Sequence, residues 1–309
     1  MQQSDARPLV KEVEGRLIQN VNGLYFLPAD KLEHDRLELQ NFALFLALEG
    51  NYPAREAVRG ALTPRADRRC QILDIGTGSG SWAEAMAREF PHADVLGVDL
   101  VAVARSPQTP PNCQFVMANI NDGMTEYHHK FDVVHARSVT SGLTSISGYL
   151  DEVAKLLRPG GVHIFADGNL QLYDDSEPPR PLPQGGASAA QRIFFATRKA
   201  MTDRGSQLDA RLDIGREMSS DVAQWKDVNS SHLFIPLGNW KEGRDVRESV
   251  MATVMGRDAV MTFAAMKPGL SQVLPGDEVD ELVRAAQEET ETLGARVNSI
   301  WHYTWATRV

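Results

Sequence analysis

The chain has 309 residues, 42% of them hydrophobic and 24% charged, which allows one elaborated α/β unit and excludes global disorder. Its formal net charge of -9 leaves no basic surface of the kind a nucleic-acid partner requires. Two cysteines, Cys70 and Cys113, give neither a disulfide framework nor a zinc spacing; no apolar run reaches membrane-spanning length and the N-terminus is polar, so a cytoplasmic or nuclear protein with no membrane partner is expected.

Residues 1–69 read as an N-terminal helical cap. A short aromatic stretch, 23–28, leads into a charged helix in which Leu32, Leu37, Leu39, Phe42, Ala43 and Leu46 recur at roughly helical spacing, and that spacing predicts the buried stripe. A linker carrying proline and charge, 63–69, comes next.

Residues 70–173 read as a cofactor-binding core. The pattern predicts a strand at 71–75, a glycine loop at 76–80 and a helix at 81–90, stopped by Pro91. Further strands are expected at 94–99, 113–117 and 131–136. A helix at 146–157 ends in the turn Arg158-Pro159-Gly160-Gly161, and a fifth strand spans 162–167. This alternation predicts an α/β fold: a Rossmann-like, doubly wound, mostly parallel sheet.

Residues 174–309 read as helical lid insertions plus the last sheet strands. A proline-rich loop, 174–186, precedes helices at 187–204 and 215–225 and a sixth strand at 230–237. Helices at 247–266 and 278–293, separated by Pro268-Gly269 and Pro275-Gly276, lead to a final strand at 296–307.

The strongest signal is Ile72-Leu73-Asp74-Ile75-Gly76-Thr77-Gly78-Ser79-Gly80. Glycine here lets a strand turn sharply into a helix whose free N–H groups suit an anion. The dinucleotide fingerprint G-x-G-x-x-G would want glycine where Ser81 stands, and no Gly-Lys-Ser/Thr completes a P-loop. Asp74 would repel a pyrophosphate but welcome an ammonium, and Asp99, at the end of the next strand, can accept both ribose hydroxyls. An ammonium, a carboxylate and a ribose together describe S-adenosylmethionine better than a nicotinamide dinucleotide.

These residues resemble motif I and its downstream acid in class I methyltransferases. Leu156-Leu157-Arg158-Pro159-Gly160-Gly161 is similar to the turn before that family's fifth strand. The segments Tyr25-Phe26-Leu27-Pro28-Ala29-Asp30, Asp35-Arg36-Leu37-Glu38-Leu39-Gln40 and Phe131-Asp132-Val133-Val134-His135-Ala136-Arg137 resemble the fungal LaeA-like methyltransferases of secondary metabolism. The resemblance implies S-adenosylmethionine as cofactor, with Asp74, Gly76, Thr77, Gly78 and Gly80 around the methionine end and Asp99 on the ribose. Leu100, Asn119 and Ile120 would lie beside the adenine, and Arg137 near the cofactor at the end of the fourth strand.

Methyl transfer needs in-line positioning in a dry pocket and only sometimes a base. No residue declares itself that base; His135, Asp167 and His232 are the candidates. The Asn/Asp-Pro-Pro-aromatic motif of base-methylating relatives is missing after the fourth strand, where Arg137-Ser138-Val139-Thr140 stands. What remains is a small-molecule acceptor or an unknown protein one; a small molecule, apolar or aromatic and methylated on oxygen, is expected, with Tyr25, Phe194, Phe195, Trp225 and Trp240 as candidate lining residues. His128-His129 has no third ligand nearby, and no metal is expected. Two other readings stay open: a LaeA-like regulator that turns over no small molecule, and a cofactor-binding fold used for non-methyl chemistry. The first would show an exposed apolar surface and tails that fold on a partner; short tails favour the enzyme.

Overall fold

The computed structural model describes residues 10–309 apart from 22, 26, 104, 210–212 and 242. A hairpin that no sequence period announces opens the described chain, β1 (Val10–Val13) paired with β2 (Arg16–Gln19). Arg16 fastens it to the first long helix, because its Nε lies 2.6 Å from the carboxylate of Asp30, the cap of that helix. The helix is α1 (Lys31–Leu48), and Asp30 caps it by accepting the Glu33 N–H.

The core then alternates as the sequence predicts: α2 (Arg55–Ala61), β3 (Cys70–Ile75), α3 (Ser81–Glu89), β4 (Ala93–Asp99), β5 (Cys113–Met117), β6 (Phe131–Arg137), α4 (Ile146–Leu156) and β7 (Leu157–Gly168). The additions are α5 (Ala189–Asp203), α6 (Ile214–Ser220), β8 (Trp225–Pro236), α7 (Val246–Leu270), α8 (Gly276–Glu291) and β9 (Asn298–Arg308). Seven strands form one sheet in the order β5-β4-β3-β6-β7-β9-β8. Six run in one direction, and β9 runs antiparallel between β7 and β8. Strand order reverses between β3 and β6, which opens a crevice at the carboxyl ends of these strands.

The sheet is covered on both faces. On one, Trp82, Met86 and Val58 pack over Ile72, Val95 and Val133. On the other, Tyr149, Leu150 and Val153 pack over Leu73, Val98 and Val134. A third apolar cluster joins α1, α5, α7 and α8 to Ala166, Trp301 and Tyr303. The late helices are thus built onto the sheet rather than beside it.

Four expectations need correction. Of the stripe expected on α1 only Ala43 is fully buried: Leu32 is 59% and Phe42 46% exposed, whereas Glu33, Arg36, Gln40 and Leu44, which lie outside the stripe, are buried. Ion pairing across to α7 decides the orientation, and apolar period alone does not reveal it. Residues 215–225 are not one helix, because α6 stops at Ser220 and Trp225 starts β8, its indole packed near His163. The turn at 158–161 lies within β7, as a bulge between the pairings Phe131–Leu157 and Val133–Val162. Finally, α7 runs through Pro268, which falls in its last turn and leaves one carbonyl of the preceding turn without its helical donor.

Candidate functional site

A cavity of about 260 Å³ occupies the crevice at the strand ends. Its floor is the glycine loop after β3. Gly76 and Gly78 adopt left-handed φ values of 67° and 56°, and a β-carbon on Gly78 would lie 2.8 Å from Leu37 Cδ1 of α1. The loop therefore turns only with glycine, and α1 lies directly over it. The Gly78 N–H donates to Asp99 Oδ2 at 2.9 Å, which fixes the acid at the tip of β4. Burial pushes the Asp99 carboxyl up, against the pull of the N–H groups around it.

Of the residues singled out in the sequence, Gly76, Gly78, Asp99, Leu100, Asn119, Ile120, Arg137, Asp167, Tyr25 and Phe194 line this cavity. Asn119 does so with its Oδ1 already accepting from the Asn121 backbone N–H and side-chain amide, so its oxygen serves a local cap. Asp167 accepts hydrogen bonds from the Thr140 hydroxyl and backbone N–H. Tyr25 is half-buried near Glu33, and desolvation raises its phenol above the ordinary range.

Arg137 is the most informative of the set. It reaches Asn41 Oδ1 at 2.9 Å, and among the described residues no carboxylate comes within ion-pair distance. Burial lowers the affinity of its guanidinium for the proton. A buried cation left with a neutral partner is costly, and it is compensated when an anionic group arrives.

Other candidates lie elsewhere. Asp74 sits beneath the loop and not on the cavity wall: it accepts from Thr77 Oγ1 and from His135 Nδ1, both at 2.7 Å. Thr77 and Gly80 likewise shape the loop from behind, Gly80 because a β-carbon there would strike the Phe115 ring. His135 is not among the cavity-lining residues: it is buried, stacked on Trp82 at 3.8 Å with its Nδ1 on Asp74, and burial lowers its pKa. His232 lies exposed on β8, facing His302 and Phe234. Trp225 is buried by the opposite face of the sheet. Phe195 points to a surface groove with Ala196 and Leu282. Trp240 stacks with the Arg244 guanidinium. His128 pairs with Glu152, near the start of β6.

The cavity also gathers residues that pattern reading missed. From α1 come Arg36, Leu37 and Gln40; from α7, Met255, Asp258, Ala259, Thr262 and Met266; from β9, Ile300 and Trp301. One signal was available: Asp258 is a lone acid in the apolar run Ala252–Met266 that also holds Arg257. Ser138, at the end of β6, has a φ of 58° without being glycine, a local strain at the cavity wall that sequence does not reveal.

The profile of a methyltransferase-domain family matches residues 36–209, more than half of the chain. The chain belongs to this family. It is a class I, LaeA-like methyltransferase, and its methyl donor is S-adenosylmethionine. The methyltransferase is 34% identical over 272 residues to the methyltransferase str2 of Strobilurus tenacellus, covering 86% of this chain and 90% of that one. It is also 34% identical over 165 residues to the secondary metabolism regulator laeA of Coprinopsis cinerea, covering 53% of this chain but only 40% of that regulator's length. Among solved structures it is similar to phosphoethanolamine N-methyltransferase 2 of Haemonchus contortus, with a TM-score of 0.44, 14% identity and coverage of 94% and 61% of the two chains. Among the described residues no helix is long and apolar enough to cross a membrane.

Proposed function

We propose that this methyltransferase transfers the methyl group of S-adenosylmethionine to an oxygen of a neutral, largely apolar small molecule. The observation that carries this reading is the continuity of the cavity: one space joins Gly76, Gly78 and Asp99 to the apolar wall of Phe194, Met201, Met255, Met266 and Trp301. A donor and an acceptor can therefore meet without crossing solvent, which is what in-line transfer needs.

The residues present fit the donor. Asp99 offers its carboxylate to a ribose from the tip of β4, Leu100 and Ile120 flank a base, and Gly78 has no room for a side chain. Arg137 has no counter-anion among the described residues, so we assign it the donor's carboxylate. When bound, S-adenosylmethionine supplies an electrophilic methyl group. Asp74 and His135 keep the loop in shape from below, and Leu37 covers it from above. The apolar wall from α5, α7 and β9 would line the acceptor.

A neutral hydroxyl enters this largely apolar wall at lower desolvation cost than a charged group. Incubation of the chain with labelled cofactor and a metabolite extract tests the reading. Label recovered in a small, extractable product is expected; label found on protein alone overturns it. A second reading, a regulator acting through a partner, is favoured by the exposed apolar residues Leu32, Phe42 and Phe45 on α1. Under that reading, charged substitutions at Phe42 and Phe45 would abolish partner capture while leaving cofactor binding intact.

A further inference from the structure

The side of α1 that faces α7 is polar. Glu33, Arg36 and Gln40 fall on one helical face and are buried to 2%, 5% and 8% exposure, while Leu32 and Phe42 of the same helix face outward. Arg36 makes a two-pronged pair with the Glu33 carboxylate at 2.6 and 3.0 Å. Its remaining nitrogen, Nη1, donates to Asp258 Oδ1 at 2.7 Å and to Thr262 Oγ1 at 3.2 Å. Gln40 Nε2 approaches Asp258 Oδ2 at 3.4 Å. The Arg36 and Gln40 of the segment Asp35–Gln40 thus converge on one carboxylate, 218 residues or more away in sequence.

Two carboxylates share the Arg36 guanidinium; burial pushes the Asp258 carboxyl up, and the next cation on the cavity wall, Arg137, acts on Asp258 without touching it. Glu33 alone could neutralise Arg36, because its fork-to-fork contact is complete. Glu33 is not on the cavity wall; Asp258 is, together with Arg36, Gln40 and Thr262. A buried ionic cluster is weak evidence for stability, since apolar residues would join two helices at lower cost. The second acid, which faces the cavity, therefore calls for another explanation. Its Oδ1 is held by Arg36, whereas its Oδ2 has only the long contact to Gln40, which leaves room for a better donor.

We infer that Asp258 selects the acceptor: its Oδ2 receives the hydrogen bond of a neutral hydroxyl on the bound metabolite, and its charge turns carboxylate-bearing molecules away. The inference rests on the reading that this cavity holds donor and acceptor side by side. It assigns to α7 the choice of substrate, while the glycine loop and Asp99 are left to the donor. Arg36 and Gln40 are positioning residues that aim the carboxylate.

The test uses the full chain saturated with S-adenosylhomocysteine and three probes of one shape: 2-naphthol, naphthalene and 2-naphthoate. The wild type is expected to bind 2-naphthol at least about tenfold more tightly than either of the others. Asp258→Leu should erase the preference for the hydroxyl and admit the naphthoate, with Arg36 still paired to Glu33. Asp258→Asn, which keeps the shape and loses the charge, should admit the naphthoate even if the leucine variant does not fold. Glu33→Gln serves as the control: a merely structural cluster predicts the same change, whereas selection by Asp258 predicts that the hydroxyl preference survives. Equal binding of all three probes to the wild type, or an unaltered preference in both Asp258 variants, overturns the inference alone. Failure of S-adenosylhomocysteine to bind the wild type brings down the reading of the cavity itself, and the inference with it.

Discussion

His135 Nδ1 lies 2.7 Å from Asp74 Oδ1, and the same imidazole stacks on Trp82 with ring centroids 3.8 Å apart. The pair couples β6 to β3 directly beneath the cofactor loop, and Thr77 Oγ1 takes the other Asp74 oxygen at 2.7 Å. His135→Phe would keep the stack and delete the donor. A buried carboxylate short of one partner costs about 1–3 kcal/mol. We expect a lower melting temperature and a severalfold loss of S-adenosylhomocysteine affinity, read by thermal unfolding and calorimetry. Full affinity in a destabilised variant would show that the brace supports the fold without shaping the loop.

His163 makes stability sensitive to acid. Its Nδ1–H donates to the Val134 carbonyl at 3.0 Å, its Nε2 faces the Tyr149 hydroxyl at 3.2 Å, and burial brings its pKa down to about 4. The unfolded imidazole takes up its proton near pH ~6.5, so the unfolded chain binds the proton first. Stability from this group is therefore complete above that pH and is lost as pH falls towards about 4. His135 shifts in the same direction and adds to the slope. Urea midpoints measured between neutrality and acid should fall across this window, and His163→Gln should flatten the fall.

Gly78 is held by two constraints at once, a φ of 56° and a gap of 2.8 Å to Leu37 Cδ1 from its β-carbon position. Gly78→Ala should cost about 1–2 kcal/mol from the left-handed backbone alone. Pushing Leu37 aside adds to that cost, and cofactor binding should weaken accordingly. Leu37→Ala in the same chain should restore the steric part but not the backbone part. A strictly additive double mutant would show that α1 does not rest on the loop.

The parallel core and the glycine turn that floors the cavity were legible because they depend on short-range rules. The run Asp74–Gly80 specifies its own turn, and Asp99 follows from where the next strand must end. The acceptor end was not legible, because it is assembled from α1, α5, α7 and β9, whose meeting depends on tertiary packing. The stripe of α1 misled for that reason: Leu32 and Phe42 satisfy the helical period, yet the Arg36–Asp258 pair turns the helix the other way. Trp225 and His232 were placed in the site by residue type alone, and the strand pairing of β8 with β9 sets them apart from it.

Arg137 provides the sharpest separation between donor binding and fold. Its guanidinium is buried with Asn41 Oδ1 at 2.9 Å as its partner, and no described carboxylate lies in ion-pair range. Arg137→Met removes a charge that no described carboxylate contacts, although Asp74 and Asp258 attract it from further away, so the variant should fold with at most a small loss of stability. If the guanidinium holds the donor's carboxylate, losing a charge-assisted pair should weaken S-adenosylhomocysteine by roughly ten- to a hundredfold. Methylthioadenosine, which keeps the ribose and adenine but has no amino-acid end, should bind parent and variant alike. A parallel loss for both ligands would place Arg137 elsewhere in the cavity, and an unchanged affinity for S-adenosylhomocysteine would remove it from the donor site altogether.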